Sequence, residues 1–347
     1  MEITPEVQAQ LDEQKEQCPF CKITKGEIPA SIAYDDKLMF GILDINPWTT
    51  GHILLYPKEH YPIMPYIPVK TFQHIFGNLP AMIKALKKSI LCSGANVFIA
   101  NGGVAGQQSP HFLMHVLPRE KNDGITKFAF NKKGKLDESK NKQINTMLAQ
   151  NMPIMLKNHF KRTPVNWQTG NTSTIPEHLN FIKPEQILYQ DEKVICIAPE
   201  NQMCTGHMTI YSKEEPKLFE KLNFESGSHI FYVASYAATA AFEGLGAHGS
   251  NIILKTGKCE DNTDEKLSLH ILPRYQDDGL DLLCKPIDNK PDFKELASKI
   301  KDAMFLVEHE ANNRKEQKLK KIEPKESKPL TPEQEEIKKA IEILKNN

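Results

Sequence analysis

The feature that most constrains this 347-residue chain is that it repeats itself at one fixed offset, 155 residues. Thr50-Gly51-His52-Ile53-Leu54-Leu55-Tyr56 falls on Thr205-Gly206-His207-Met208-Thr209-Ile210-Tyr211. His115-Val116-Leu117-Pro118-Arg119 falls on His270-Ile271-Leu272-Pro273-Arg274, and Tyr34-Asp35-Asp36 and Asp123-Gly124 meet their counterparts at the same shift. One offset serving four separated blocks means no net insertion or deletion between them, which identifies a duplicated unit. The expected organisation is a first domain over 14–160, a linker over 161–176, a second domain over 177–312 and a charged tail over 313–347.

Each copy reads as the same series of elements. Residues 31–35 and 38–43 alternate with period two, and His52–Tyr56 is a short apolar run after a Thr-Gly turn, so all three predict strands. Apolar residues at helical spacing from Val69 to Leu91 predict a long helix that Pro80 kinks or splits. Strands are expected at 96–100 and 112–117 around a Gly-rich loop, with second-copy equivalents at 251–255 and 267–272 and a helix around 219–242. The economical fold is α+β: an antiparallel sheet of about five strands under one long helix in each copy. The tail is rich in Lys and Glu, and its last stretch, from Thr331, carries N-terminal capping signals and the stripe Ile337, Ala340, Ile341 and Leu344. It predicts a short helix that could meet a protein partner.

Composition narrows the class. Apolar residues make up 39% and charged residues 25%, and the charges sum to zero, which gives no bulk attraction for nucleic acid. No apolar run is long enough to span a bilayer, and the first residues lack the layout of a secretory leader, so a cytoplasmic protein is expected. Five of the seven cysteines stand apart without pairing spacings and read as reduced thiols; the other two form Cys18-Pro19-Phe20-Cys21.

Three blocks of the first copy, CPFCKITKGEIPA, LDINPWTTGHILLYPKEH and NGGVAGQQSPHFLMHVLPR, resemble the signature blocks of the histidine-triad (HIT) family in order and spacing. The resemblance is strong in the first copy and weak in the second. It implies proteins that bind purine nucleotides or related small molecules and hydrolyse or transfer a nucleotidyl group. It also implies dimers that form one continuous ten-stranded sheet, which a fused pair can reproduce within one chain as a pseudo-dimer.

In that family three histidines alternate on a strand, so all face one way, and the middle imidazole attacks phosphorus to form a covalent intermediate. Here the three positions read His111, Leu113, His115 in the first copy and Lys266, Ser268, His270 in the second. Leucine has no lone pair, and a serine needs a positioned base that Lys266 does not supply. No catalytic residue is therefore expected, with His115 left as a phosphate contact. The resemblance carries nucleotide contacts onto Asp44 (ribose hydroxyls), Asn101, Gly106, Gln107 and His115, while Gln108 stands where the family keeps a hydroxyl. In the second copy Pro199 replaces Asp44, and Asp261, at the place of Gly106, is expected to repel phosphate.

Cys18 and Cys21 have zinc-knuckle spacing. The resemblance completes a structural Zn²⁺ site with His60 and His111, and the second copy has Ser173, Pro176, Glu215 and Lys266 there, all four ligands lost together. His52 and His207 read as hydrogen-bonded residues at strand starts, and Arg119 and Arg274 as members of surface salt bridges. His74, His159, His178, His229, His248 and His309 show no convergent spacing. The expected function is a catalytically silenced, nucleotide-binding tandem protein. The alternatives are an active nucleotidyl hydrolase or transferase using another residue, and a scaffold without a ligand.

Overall fold

A computed structural model describes residues 12–121, 123, 130–132, 136–162, 172–215, 217–282 and 285–314. The expected tail helix and Cys284 lie outside these residues. The first half runs α1 (Pro19–Thr24), β1 (Ile32–Asp35), β2 (Met39–Leu43), β3 (Ile53–Pro57), α2 (Val69–Ile90), β4 (Gly94–Asn101), β5 (Met114–Arg119), β6 (Phe130–Lys132) and α3 (Glu138–Arg162). The second runs β7 (Ile187–Gln190), β8 (Val194–Ile197), β9 (Met208–Ser212), α4 (Phe224–Leu245), β10 (Gly249–Gly257), β11 (Ser268–Arg274), β12 (Leu280–Leu282) and α5 (Phe293–Asn313). Most elements of one half start at the 155-residue offset from those of the other, β1 with β7 and α2 with α4 among them.

All pairings in the main sheet are antiparallel, and the strands lie in the order β1-β2-β3-β5-β4-β10-β11-β9-β8-β7. The two halves join through β4 and β10, in register from Gly94↔Gly257 to Ser250↔Asn101. One contiguous core runs from the strands of one half through α2 and α4 into the other. The two helices cross closely: a Cβ on Gly77 would sit 2.5 Å from the Phe224 ring, and one on Gly227 2.6 Å from Pro80 Cγ. Beside the crossing the fully buried rings of Phe76 and Phe231 stack at 4.5 Å.

Two expectations change here. Pro80 does not split its helix, which is continuous over Val69–Ile90; its ring is instead the surface on which Gly227 packs. The second long helix starts at Phe224 rather than near 219, because residues Phe219–Lys221 form a 3-10 turn and Asn223 caps the helix by accepting from the Ser226 N–H at 2.9 Å.

The trailing helices exchange sides. Helix α3, at the end of the first half, packs on β7 and α4 of the second, where His159 Nε2 lies 2.8 Å from the Tyr232 hydroxyl. Helix α5, at the end of the second, packs on β1 and α2 of the first, where the Lys37 N–H donates to Asn312 Oδ1 at 2.8 Å. Ahead of α5, the strap over residues 285–292 crosses the Asp44–Trp48 loop: the Ile287 N–H donates to Pro47 O (2.8 Å) and Lys290 Nζ to Ile45 O (2.8 Å) and Asn46 Oδ1 (3.0 Å). Strands β6 and β12 pair across the halves as well.

Buried polar groups come in matched sets. Tyr34 donates to Asp36 Oδ2 (2.6 Å) and His74 Nε2 lies 2.7 Å from the same oxygen; Tyr189, Asp191 and His229 repeat this at 2.9 and 2.7 Å. Each aspartate also accepts two backbone N–H groups of its own hairpin, so the set ties β1–β2 or β7–β8 to the long helix. Burial alone would raise Asp36 and Asp191, but the histidine hydrogen bond and charge hold both below the ordinary carboxylate value.

Arg119 and Arg274 are not surface residues: they are 0% and 7% exposed. Arg119 pairs with Asp123 (2.5 Å), with Asn96, and across the halves with Asp261 (3.0 Å). Arg274 pairs with Asp278 (2.6 Å) and Asn251 (2.7 Å). Arginine sits buried here because its fork satisfies several acceptors at once.

Asp36→Ala removes the acceptor of the Tyr34 hydroxyl, His74 and two backbone N–H groups, and is expected to cost about 3–5 kcal/mol in urea denaturation at neutral pH. A carboxylate whose folded value is depressed stabilises fully above its unfolded value and loses that contribution as pH falls through the folded one. The deficit of the variant against wild type therefore narrows when the measurement is repeated near pH 3.

Candidate functional site

The face of the sheet opposite the long helices carries the chemistry-bearing residues. At its first-half end the short helix α1 brings Cys18 and Cys21 to His60 and His111, with one ligand atom from each within 4.8 Å of the others. Cys21 Sγ is 3.4 Å from His60 Nδ1 and 3.6 Å from His111 Nδ1, and Cys18 Sγ is 3.5 Å from His111 Nδ1. Zn–S and Zn–N bonds of about 2.3 and 2.0 Å at tetrahedral angles set neighbouring sulfur and nitrogen ligands about 3.5 Å apart. His111 Nε2 donates to Pro57 O at 2.9 Å, which fixes the tautomer and leaves Nδ1 as the lone-pair atom facing the cysteines. Burial, with Cys18 beside it, pushes the Cys21 thiol up to about 12, so a cation is what would hold these sulfurs as thiolates. The donor set fits a tetrahedral metal ion.

Phe20, between the two cysteines, joins Phe40, Ile42, Leu54, Tyr56, Ile23, Ala30 and Leu113 in one apolar cluster. The Cys-x-x-Cys turn thus holds part of an apolar wall that continues to the position of the family's nucleophile. In the first half the strand starts only at Met114, so His111 and Leu113 precede it, whereas Ser268 begins β11.

Next to that wall a directed hydrogen-bond chain fixes His115. The Trp48 backbone N–H can only donate, and it reaches His52 Nδ1 at 3.2 Å. His52 therefore carries its proton on Nε2 and donates to His115 Nδ1 at 3.0 Å, which leaves the His115 proton on Nε2. Burial lowers His52 well below its ordinary value and pushes His115 down to about 4, so both rings are neutral at pH 7. The Trp48 ring lies parallel to His115 at 4.9 Å.

The second half repeats the chain. The Met203 N–H donates to His207 Nδ1 (3.1 Å), His207 Nε2 faces His270 Nδ1 (3.2 Å), and His270 Nε2 lies 3.1 Å from Ser268 Oγ. The residue that sequence reasoning missed is His270, which stands at the distance of a base from Ser268. Its proton nevertheless sits on Nε2 and points at the serine oxygen, and its Nδ1 lone pair faces the His207 donor and the Thr209 hydroxyl (3.2 Å). In that tautomer His270 cannot take the serine proton.

The expected nucleotide contacts divide into two groups. Asp44 is partly buried, accepts the Asn46 N–H at 2.8 Å, and burial raises it against the pull of that bond and of Lys290. Together with His115 it stays near the apolar wall. Asn101 and Gln107 are used within the protein. Asn101 accepts from the Met64 N–H (3.1 Å) and donates to Ser250 Oγ of the other half (3.3 Å). Gln107 accepts the Gly102 N–H (2.7 Å) and donates to Pro62 O (2.6 Å) and Ser109 O (2.8 Å), bracing the Gly-rich loop. Gly106 ends a 3-10 turn with φ 85°.

Asp261 does not act as an acidic residue facing a ligand. It is buried between Arg119 (3.0 Å) and Lys255 (2.8 Å), and although burial alone would raise it, these cations hold it below the ordinary carboxylate value. The lost metal set is also replaced. His178 Nε2 donates to Ser212 O (3.2 Å), repeating the bond of His111 to Pro57 O, and Lys266 Nζ rests 4.3 Å from the centre of the Phe181 ring.

The sequence profile described as "HIT domain" matches residues 25–122. An uncharacterized HIT-like protein of Methanocaldococcus jannaschii is 39% identical over 122 residues, 35% of this chain and 94% of that one. An adenosine 5'-monophosphoramidase of Schizosaccharomyces pombe is 36% identical over 102 residues, 29% of this chain and 74% of its own length. A solved Zn-bound histidine triad family protein from Mycobacterium smegmatis is 36% identical, covers 31% of this chain and 79% of its own, and superposes with a TM-score of 0.29.

The hydrogen-bond chains make a titration testable. The His115 and His270 ring signals are expected to stay those of neutral Nε2–H tautomers from pH 8 to pH 5 in nitrogen-detected NMR, since burial pushes them to about 4 and about 3. Rings that refuse protons when folded and accept them when unfolded subtract stability as pH falls below their ordinary value of 6.5. Unfolding free energy should therefore decline on acidification from pH 7 to pH 5.

Proposed function

The chain belongs to the histidine-triad family of nucleotide-binding hydrolases and transferases, and from that premise we propose that its first half is a zinc-braced nucleotide-binding module without the family's transfer step. The observation that carries this reading is Leu113 at the attacking position, packed into the apolar cluster. A hydrocarbon cannot form the nucleotidyl intermediate. Loss of a covalent nucleophile removes on the order of 10⁴ or more in rate in enzymes that depend on one.

In this reading the apolar wall takes the base, Asp44 the ribose hydroxyls, and the His115 Nε2–H the far end of a purine nucleotide or related small molecule. Zinc on Cys18, Cys21, His60 and His111 is structural: four protein ligands close its shell, so it supplies no open coordination position for chemistry. Its work is to hold Phe20 and Ile23 against the pocket. The second half, a domain over 177–312 duplicated from 14–160, is retained as the other member of an intramolecular pseudo-dimer. It supplies β10 to the central strand pairing, α5 and the Lys290 strap to the first domain. Cys18 and Cys21 hold a metal ion only as reduced thiols, which a reducing compartment maintains, and we assign the protein to the cytoplasm.

One observation favours a second reading, transfer through Ser268: its oxygen is 3.1 Å from His270 Nε2. The proton direction opposes it.

A fluorogenic adenosine phosphoramidate assay separates the two. Wild type is expected at background, Ser268→Ala unchanged from it, and Leu113→His raised by at least about a hundredfold, part of the nucleophile's contribution. Family-like turnover in wild type that Ser268→Ala abolishes would move the function to the second half. For the metal, mass spectrometry of the native protein should find one zinc per chain. Cys21→Ser should lose it together with about 3 kcal/mol or more of stability, the linkage of an ion present at a hundred times its Kd.

A further inference from the structure

We propose that the first-half pocket takes an uncharged purine nucleoside as its ligand and disfavours a phosphate dianion. The inference narrows the nucleotide-pocket reading above and rests on it. It follows from what each group near the attacking position offers to phosphate oxygens.

Leu113 offers hydrocarbon, and its neighbours in the cluster are Phe40, Ile42, Leu54 and Tyr56. The amides that could reach a phosphate, Asn101 and Gln107, are spent on Met64, Ser250, Gly102, Pro62 and Ser109. The Gly-rich loop turns its own donors inward: the Ala105 and Gln107 N–H groups go to Gly102 O and the Gly106 N–H to Gly103 O. Gln108, where a hydroxyl would stand, is uncharged. Arg119, the cation that follows the triad strand, is wholly buried and committed to Asp123, Asn96 and Asp261.

What remains are neutral donors, the Nε2–H of His115 and the amide of the exposed Gln108. On the ribose side the charges are Asp44 and Lys290, and Lys290 is held by Ile45 O and Asn46 Oδ1. A dianion entering here would give up its hydration for neutral donors beside a hydrocarbon, and an ion buried without a countercharge loses more than it gains. A nucleoside gives up far less. Its base meets the apolar wall and its hydroxyls meet Asp44.

Isothermal titration of the full chain with adenosine, AMP and ADP at low ionic strength tests this. Adenosine is expected to bind at least tenfold more tightly than AMP, with ADP weaker still. AMP binding tenfold more tightly than adenosine would overturn the proposal and leave the pocket reading standing, as would equal affinities. If none of the three binds a protein that still melts cooperatively, the pocket reading itself falls and this narrowing with it. Leu113→His, checked for folding by its melting transition, should shift the AMP-to-adenosine affinity ratio at least tenfold toward AMP. The neutral change Leu113→Gln should leave that ratio within about threefold of wild type.

Discussion

The antiparallel pairing of β4 with β10 is the interaction from which the rest of the architecture follows. Alone, each half would end in an open strand with a row of unpaired backbone groups, which is a site for indiscriminate pairing. Joining the two edges over eight residue pairs closes both liabilities at once and places α2 and α4 side by side on one face. It also brings Arg119 of one half within reach of Asp261 of the other, so the junction is locked by a buried ion pair as well as by the ladder. The trailing helices then fill the faces that this pairing sets next to each other. Each half is completed by the helix that follows the other half.

Much of this was legible in the sequence because duplication leaves a signal that packing cannot erase. The offset predicted two matching element series, and the structure keeps it from Ile32 with Ile187 through Phe293 with Glu138. The same offset relates His74 to His229, yet neither sits inside an obvious block, so their shared role with Asp36 and Asp191 was readable only by testing every histidine against the shift. Helix exchange left no such trace. The structure forms a helix over Glu138–Arg162, and which half it covers depends on contacts that periodicity does not encode.

The polar residues were harder to place because their fate depends on partners distant in sequence. Arginine after a strand is usually solvated, and only the convergence of Asn96, Asp123 and Asp261 makes burial of Arg119 favourable. Asp261 looked repulsive to phosphate when read alone, whereas Arg119 and Lys255 neutralise it. The group that the structure brings together, Cys18, Cys21, His60 and His111, was legible from the Cys-x-x-Cys spacing and, for the two histidines, from the family resemblance. Their replacement in the second half was not. His178 and Lys266 take over by a carbonyl hydrogen bond and a ring contact, neither of which leaves a motif.

The two halves differ most where the family's chemistry would be, and the difference has a direction. In both, a backbone N–H at the start of the hydrogen-bond chain sets the tautomer of the first histidine and, through it, of the second. That relay delivers a proton to Nε2 of His115 and His270. Where the next residue along the face is an attacking imidazole, such a proton orients it. Against Leu113 it meets nothing that can accept, and against Ser268 it occupies the lone pair a base would need. The same hydrogen-bond chain is thus present in both halves, while the apolar cluster with Phe20 and Leu113, Asp44 and the cysteine turn belong to the first. On the function proposed for the first half, that combination is what selection for binding, separated from turnover, would leave behind.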